Sequence, residues 1–238
     1  MIREYQTHST LNPKLWDGDK LHPKLRVGFM KIAKAFYNFL EVRCDIHDVI
    51  IIGSSANYNW TEHSDIDLHV VINYLEIGDN LHIVKNYMHA KKSIWNTTHP
   101  LTYKGMNIEL YAQDSDESHF STGVYSVKND EWITAPSKEK SQIDREVFKT
   151  KINSWKEKIE NLIKNIKNDG IKSSEKQIDS LKEKLKDYRK SGLEKEGEYS
   201  YENLVFKYLR RSKLIEKLYN TIVKQTDKEL SVETRKIE

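Results

Sequence analysis

The sequence predicts an α+β fold: a small mixed sheet flanked by helices, followed by a helical C-terminal domain. Up to residue 137, short β-branched strand patterns alternate with helical patterns. From residue 138 onward, apolar residues recur only at helical spacing and lysine is frequent. We therefore predict one domain over residues 1–137 and a helical, lysine-rich domain over residues 138–238.

The first domain begins with a helix and a buried strand. Apolar residues three and four positions apart predict a helix from Pro23 to Glu41, and a proline suits its first turn. The β-branched run over residues 48–53 ends at a glycine, which is typical of a buried strand. A second helix is predicted over residues 77–96.

A second strand pattern covers residues 65–72 and begins with strict alternation of polar and apolar residues. Side chains two positions apart in a strand point to the same face. Asp65, Asp67 and His69 are therefore predicted to share one face, opposite Ile66. Such a histidine is more often a hydrogen-bonded structural residue than a substrate contact, and His63 in the preceding loop has the same two interpretations.

Two hairpins follow. The first is predicted over residues 101–112 with its turn at Lys104-Gly105, and the second over residues 123–133. Pro136 then marks the domain boundary.

The second domain is predicted to contain three helical segments. The first ends at Asp169-Gly170, because glycine commonly follows the last turn of a helix. Ser174 is predicted to begin the next helix. Ser200 is predicted to cap the third, which continues through Ile222.

Acidic and basic residues are segregated along the chain. Residues 1–137 contain 13 Lys or Arg against 17 Asp or Glu, whereas residues 138–195 contain 17 against 11. Segregation of this kind is expected when one part of a protein holds cations and another meets a polyanion. A solvated helix surface is the simpler alternative for the basic segment.

Composition also bears on the compartment. No stretch approaches the roughly 20 apolar residues that span a membrane, and the N-terminal sequence has no apolar signal core. Cys44 is the only cysteine, which fits a reducing compartment. We therefore expect a cytoplasmic protein without a membrane partner.

The two strand patterns deliver residues suited to phosphate chemistry. The first ends in Gly53-Ser54-Ser55, a turn that permits close backbone approach and offers hydroxyl donors to a phosphate. The second presents Asp65 and Asp67, whose oxygens suit one or two Mg²⁺ ions. A solvated strand edge and a helix-capping Ser54 are the structural alternatives.

Glu109 is the candidate third carboxylate. It lies in the middle of a predicted strand, between Ile108 and Leu110, where an acidic side chain facing a core is costly unless it is paired or metal-bound. If its strand adjoins that of Asp65 and Asp67, three carboxylates converge. Glu109 then serves as a metal ligand and general base, unless it is an ordinary surface residue.

At these residues the chain resembles the polymerase-beta type nucleotidyltransferase superfamily, in particular its small phage members. The shared motif is a Gly-Ser turn, a spacer, Asp-x-Asp and a later acid, matched by Gly53-Ser54, Asp65-Ile66-Asp67 and Glu109 over about residues 25–112. The resemblance implies catalysis by Asp65, Asp67 and Glu109 with two Mg²⁺ ions, or Mn²⁺, and an NTP as substrate. A glutamate at the third position also occurs in members that modify small molecules.

The resemblance further implies that nucleotide and acceptor lie between the sheet and the helical domain. Lys149, Lys151 and Tyr201 are accordingly candidate nucleotide-binding residues, each with a structural alternative as a solvated lysine or a helix-packing aromatic. Lys207, Arg210 and Arg211 add cationic groups suited to a nucleic acid.

The leading hypothesis is template-independent addition of NMP to an RNA 3′ end, such as that of a tRNA, because the basic half suits a polyanion. Transfer to a small molecule or a protein hydroxyl is the second. A non-catalytic nucleotide-binding module of the same fold is the third, and the intact Asp-x-Asp argues against it.

Overall fold

The computed structural model describes residues 7–62, 64–118, 121–138 and 143–231. The chain divides into two compact units, residues 1–140 and 141–238. The first combines a sheet with helices, and the described part of the second is helical. The predicted α+β class with a helical C-terminal region is confirmed at this level.

The first unit is built on a six-stranded mixed sheet. The strands are β3 (Ile46–Ile52), β4 (Ile66–Ile72), β5 (Thr102–Tyr103), β6 (Met106–Asp114), β7 (Val124–Ser126) and β8 (Glu131–Thr134). Their spatial order is β5-β6-β4-β3-β7-β8. β4 and β6 are parallel, and the other neighbours are antiparallel. A two-stranded sheet of β1 (Trp16–Asp17) and β2 (Lys20–Leu21), which was not predicted, precedes them.

Two helices, α1 (Pro23–Leu40) and α2 (Leu81–Thr98), accompany this sheet. Pro23 lies in the first turn of α1, as predicted. Phe29 and Phe36 of α1 and Leu68 of β4 are fully buried in one apolar cluster. The alternate residues of β4 therefore face this core, and Asp67 and His69 face the other side of the sheet.

Both predicted hairpins are confirmed. Lys104 and Gly105 adopt positive φ angles of 47° and 82° between β5 and β6, as a tight two-residue hairpin turn requires. In the second hairpin Asp130 has a φ of 62° before β8.

The second unit contains α3 (Arg145–Glu196), α4 (Tyr201–Arg211) and α5 (Leu214–Leu230). Gly170, with φ 81° and ψ 176°, interrupts α3 and divides it into a first arm (145–169) and a second arm (171–196). The predicted end at Gly170 is confirmed, and so is the Ser200 cap, whose hydroxyl accepts the Asn203 N–H at 3.2 Å.

Three helix boundaries differ from the prediction. α2 begins at Leu81 rather than at residue 77, because the Asn80 side chain caps it by accepting the Ile83 N–H at 3.2 Å. The second arm begins at Ile171 rather than Ser174, because the Glu229 carboxylate accepts the Ile171 N–H at 2.8 Å and caps the helix from a distant position. The third predicted segment is broken between α4 and α5, where Lys213 has a φ of 59°.

None of the helices in the described parts of the chain combines the length and the apolar character that crossing a membrane requires.

Candidate active site

The candidate site lies on the sheet face opposite the apolar core of the first unit. Asp67 of β4 and Glu109 of β6 are direct register partners on parallel neighbouring strands. Neighbouring strands lie about 4.8 Å apart, and partners in register project from the same face. Asp67 and Glu109 are separated in the chain by α2, and the pairing of β4 with β6 places them side by side.

Asp65 precedes β4 and also reaches this face. Its Oδ1 accepts a hydrogen bond of 3.3 Å from the side-chain amide of Asn107. Asn107 lies two positions before Glu109 and therefore shares its face. The three predicted carboxylates are accordingly on one side of the β4–β6 pair, at its N-terminal end.

Gly53 brings the backbone of the preceding turn against Asp67. The residue has a φ of 70°, and a Cβ built on it would lie 2.6 Å from Asp67 Oδ2. Only glycine combines that conformation with that distance. The turn after β3 therefore lies directly against Asp67 at the start of β4.

The hydroxyls of the turn have different roles. Ser54 Oγ donates to Ser64 Oγ at 3.0 Å, which ties the turn to the residue before Asp65. Ser55 is 1% exposed, and its Oγ donates to the Ile52 carbonyl at 3.1 Å. The Ser55 side chain is thus a structural part of the turn and does not present its hydroxyl to a ligand.

One amide of the turn already has a protein partner. The Gly53 N–H donates to Ser121 Oγ at 3.0 Å, and Ser121 in turn donates to the Gly123 carbonyl at 2.8 Å. The loop before β7 therefore borders the Gly-Ser turn.

Farther along the same face, a polar network surrounds His69. His69 Nδ1 lies 2.7 Å from Gln113 Oε1, and its ring lies 4.8 Å from that of Tyr111. This supports the structural interpretation of His69, since Gln113 is buried. Burial, assisted by the neighbouring Glu117 carboxylate, raises the pKa of Tyr111 to about 12.

The side chains of Asp65, Asp67 and Glu109 are all carboxylates, and hard divalent cations such as Mg²⁺ prefer such oxygen ligands. Like charges on directly opposed strand positions repel, and a cation between Asp67 and Glu109 offsets that repulsion. As the side chains stand, no three His, Cys, Asp or Glu among the described residues are gathered closely enough to hold a metal ion.

Three predicted nucleotide-binding residues belong to the second unit. Lys149 is exposed. Lys151 pairs with Glu202 at 3.1 Å; burial acts to lower the pKa of Lys151, but the Glu202 hydrogen bond and nearby groups outweigh it and raise that pKa. The Tyr201 hydroxyl accepts the Asp144 N–H at 2.7 Å. Lys151 and Tyr201 are therefore both engaged within their own helical unit.

Three residues of the site were not predicted from the sequence. The sequence pattern could have identified Asn107, because it lies two positions before Glu109 in the same strand and so shares its face. Ser64 and Ser121 lie in loops, where no periodic pattern marks their positions. His63 lies outside the described residues.

No protein-family model, curated protein or solved structure matches this chain significantly. The functional argument therefore depends on the residues and their geometry.

Proposed function

We propose that this protein is a metal-dependent nucleotidyltransferase, which transfers NMP from an NTP to an acceptor hydroxyl and releases pyrophosphate. The observation that carries the proposal is the register pairing of Asp67 with Glu109, with Gly53 packed against the Asp67 carboxylate. A strand-borne acid pair beside a glycine-serine turn is suited to phosphoryl chemistry because acid-bound cations and turn donors complement phosphate charge.

Asp65, Asp67 and Glu109 would hold the Mg²⁺ ions, which when bound neutralise the triphosphate and acidify the attacking hydroxyl. Ser54 lies beside the acids and donates to phosphate oxygens when its bond to Ser64 is exchanged. Glu109 accepts the proton of the acceptor hydroxyl. The new bond joins the acceptor oxygen to the α-phosphorus, and the bond from that phosphorus to the pyrophosphate oxygen breaks.

The acceptor in this proposal is the 3′ end of an RNA, extended without a template. Its support is the charge distribution, since basic residues outnumber acidic ones over residues 138–195 by 17 to 11. A polyanionic acceptor gains affinity from such a surface.

The direct test incubates the full-length protein with Mg²⁺ and each α-labelled NTP, with RNA, protein and small metabolites supplied separately. We expect label in the RNA fraction. Label in the protein or metabolite fraction would show that RNA is not the acceptor, and the proposal of nucleotidyl transfer would stand.

The carboxylates are tested by Asp67→Asn and Glu109→Gln, which keep side-chain size and remove charge. We expect each to lower transfer at least about 100-fold, because a bound cation contributes several kcal/mol of transition-state stabilisation. Asp116→Asn, an exposed acid of the same unit, is the matched control and should leave transfer unchanged. Full activity in a protein with Asp65 and Asp67 both changed to alanine would falsify the proposal.

Metal binding has a readout that is independent of activity. Mn²⁺ should raise the melting temperature of the wild-type protein, since a ligand that binds only the folded state stabilises it. The shift should be lost in Asp67→Asn and kept in Asp116→Asn. An equal shift in both variants places the cation elsewhere.

A further inference from the structure

An open groove of about 800 Å³ runs along α5 on the second unit. One wall is α5 and the other is the first arm of α3, and the groove continues past the end of α4. Six lysines line it: Lys156, Lys167, Lys213, Lys217, Lys224 and Lys228.

The groove is strongly positive. Against the six lysines stand two acidic lining residues, Glu160 and Glu216, which leaves a net charge of +4. Within residues 143–231, the only carboxylate within 4 Å of any of these six ammonium groups is Glu160, 3.9 Å from Lys156. Both members of that pair are about half exposed, so it offsets little of the charge.

Five of the six lysines lie along the two walls, three on α5 and two on the first arm of α3, and Lys213 directly precedes α5. Lys217, Lys224 and Lys228 are seven and four residues apart, which places them on one face of α5. Lys217 and Lys228 are thus eleven residues apart, and so are Lys156 and Lys167 on α3; eleven residues make about three helical turns. Each row of lysines therefore extends about 16 Å along its helix. Positive charge distributed along both walls suits a ligand that carries negative charge along its length.

Neutral groups of the groove add complementary contacts. Tyr208 lines one end and offers a ring on which a base can stack, and Ser212, Asn220 and Thr221 are polar lining residues. Lysine is depleted from protein–protein interfaces and abundant in nucleic-acid interfaces. The composition of the groove therefore favours a nucleic acid over an acidic protein.

We propose that this groove binds the phosphate backbone of a single-stranded nucleic acid. Its volume is that of a small-ligand pocket, enough for a few nucleotides of one extended strand. If the protein transfers NMP to RNA as proposed, the groove binds the acceptor strand. Only this role of the groove rests on the proposed function; the binding of nucleic acid does not.

The test measures binding of a labelled 12-nucleotide RNA to the full-length protein by fluorescence anisotropy, in EDTA, over a series of salt concentrations. The variant combines Lys217→Gln, Lys224→Gln and Lys228→Gln. Each phosphate contact contributes about 0.7 to the slope of log K against log salt for a single strand. Loss of three contacts should lower the slope by about 2 and weaken binding about 100-fold near 0.1 M salt.

The matched control combines Lys172→Gln, Lys176→Gln and Lys186→Gln, three exposed lysines of the second arm outside the groove. It removes the same charge and should keep the wild-type slope and affinity. Circular dichroism of both variants establishes that they are folded. Equal losses in the two variants, or no loss in the groove variant, overturn the proposal.

Two competitors identify the ligand class. A DNA strand of the same sequence that competes as well as RNA supports a backbone site, because phosphates are common to both. Polyglutamate that displaces RNA equally well at equal charge overturns the proposal in favour of an acidic protein partner.

Failure of the transfer reaction remains distinguishable from failure of the groove. If no NMP is transferred by the wild type but the groove variant alone loses RNA binding, the groove stands and the enzyme proposal falls. If the groove variant binds RNA as the wild type does while transfer is intact, the groove proposal falls alone.

Discussion

At the scale of single residues, Gly53 connects backbone conformation with chemistry. A positive φ and a carboxylate 2.6 Å from the position of a Cβ coincide there. Either condition alone disfavours other residues, and together they fix the distance between the turn and Asp67. The sequence motif identified this glycine, but its contact with one oxygen of Asp67 becomes evident only from the folded chain.

Gly53→Ala should reduce both stability and metal binding. The positive φ alone costs about 1–2 kcal/mol in a residue with a Cβ, and the added methyl group displaces the Asp67 carboxylate. Urea unfolding and the Mn²⁺-dependent melting shift measure the two effects.

Gly105→Ala is the control for Gly53→Ala. Gly105 has a φ of 82° with nothing within 4 Å of a built Cβ. It should show the conformational cost and keep the Mn²⁺ shift. If both alanine variants keep that shift, the close approach of Gly53 has no bearing on the site.

At the scale of elements, Asn96 of α2 holds the outer edge of β6. Beyond the short β5, its side chain accepts the Leu110 N–H at 2.9 Å and donates to the Leu110 carbonyl at 3.0 Å. One amide thus replaces a missing strand neighbour at the residue directly after Glu109. The position of Glu109 therefore depends on a helix as well as on strand pairing.

Asn96→Ala should destabilise the protein by about 2 kcal/mol, because two backbone groups of a fully buried residue lose their partners. Asn86→Ala, an exposed position on the same helix, should change the free energy of unfolding by less than about 0.5 kcal/mol. Urea denaturation of both variants gives the comparison. Similar values for the two would show that water replaces the Asn96 contacts without cost.

The elements also show where sequence patterns were sufficient. β4 and α1 were predicted within a residue or two, because alternation and helical spacing are local properties. The two-residue strands β1 and β2 are too short to produce a pattern. The start of the second arm at Ile171 depends on Glu229, a partner 58 positions away, which no local pattern indicates.

At the scale of the whole molecule, buried phenols limit the alkaline stability of the first unit. Burial is the largest cause in each case. It raises the pKa of Tyr74, and it raises the pKa of Tyr111 and of Tyr125 to about 12, with the Asp130 hydrogen bond assisting at Tyr125. The folded protein therefore holds these protons more tightly than the unfolded chain, in which a tyrosine has a pKa of about 10.

The free energy of unfolding should be independent of these tyrosines below about pH 10 and fall as the pH rises from there through 12. The measurement is urea unfolding at a series of pH values, with tyrosinate absorbance followed in parallel. Tyr111→Phe should reduce the steepness of the fall, because it removes one late-titrating phenol. An unchanged slope would mean that Tyr111 ionises at its ordinary pKa in the folded state.

The candidate site itself was predicted in part. The identities of Asp65, Asp67 and Glu109 followed from spacing and from the resemblance to a known family. The pairing of Asp67 with Glu109 did not follow, because sequence spacing does not reveal which strands are neighbours or whether they are parallel. The lysine groove was not predicted either, since its rows belong to helices far apart in the chain and only net charge was evident.

The parallel pairing of β4 with β6 has a consequence for biosynthesis. Asn107 and Asp65, which touch, are 42 positions apart, and α2 lies between them in the chain. A ribosome must therefore complete α2 and β6 before the nascent polypeptide can bring its acids together. Until that moment a growing chain carries both aspartates without Glu109, so the three acids can share one face only after β6 has paired with β4.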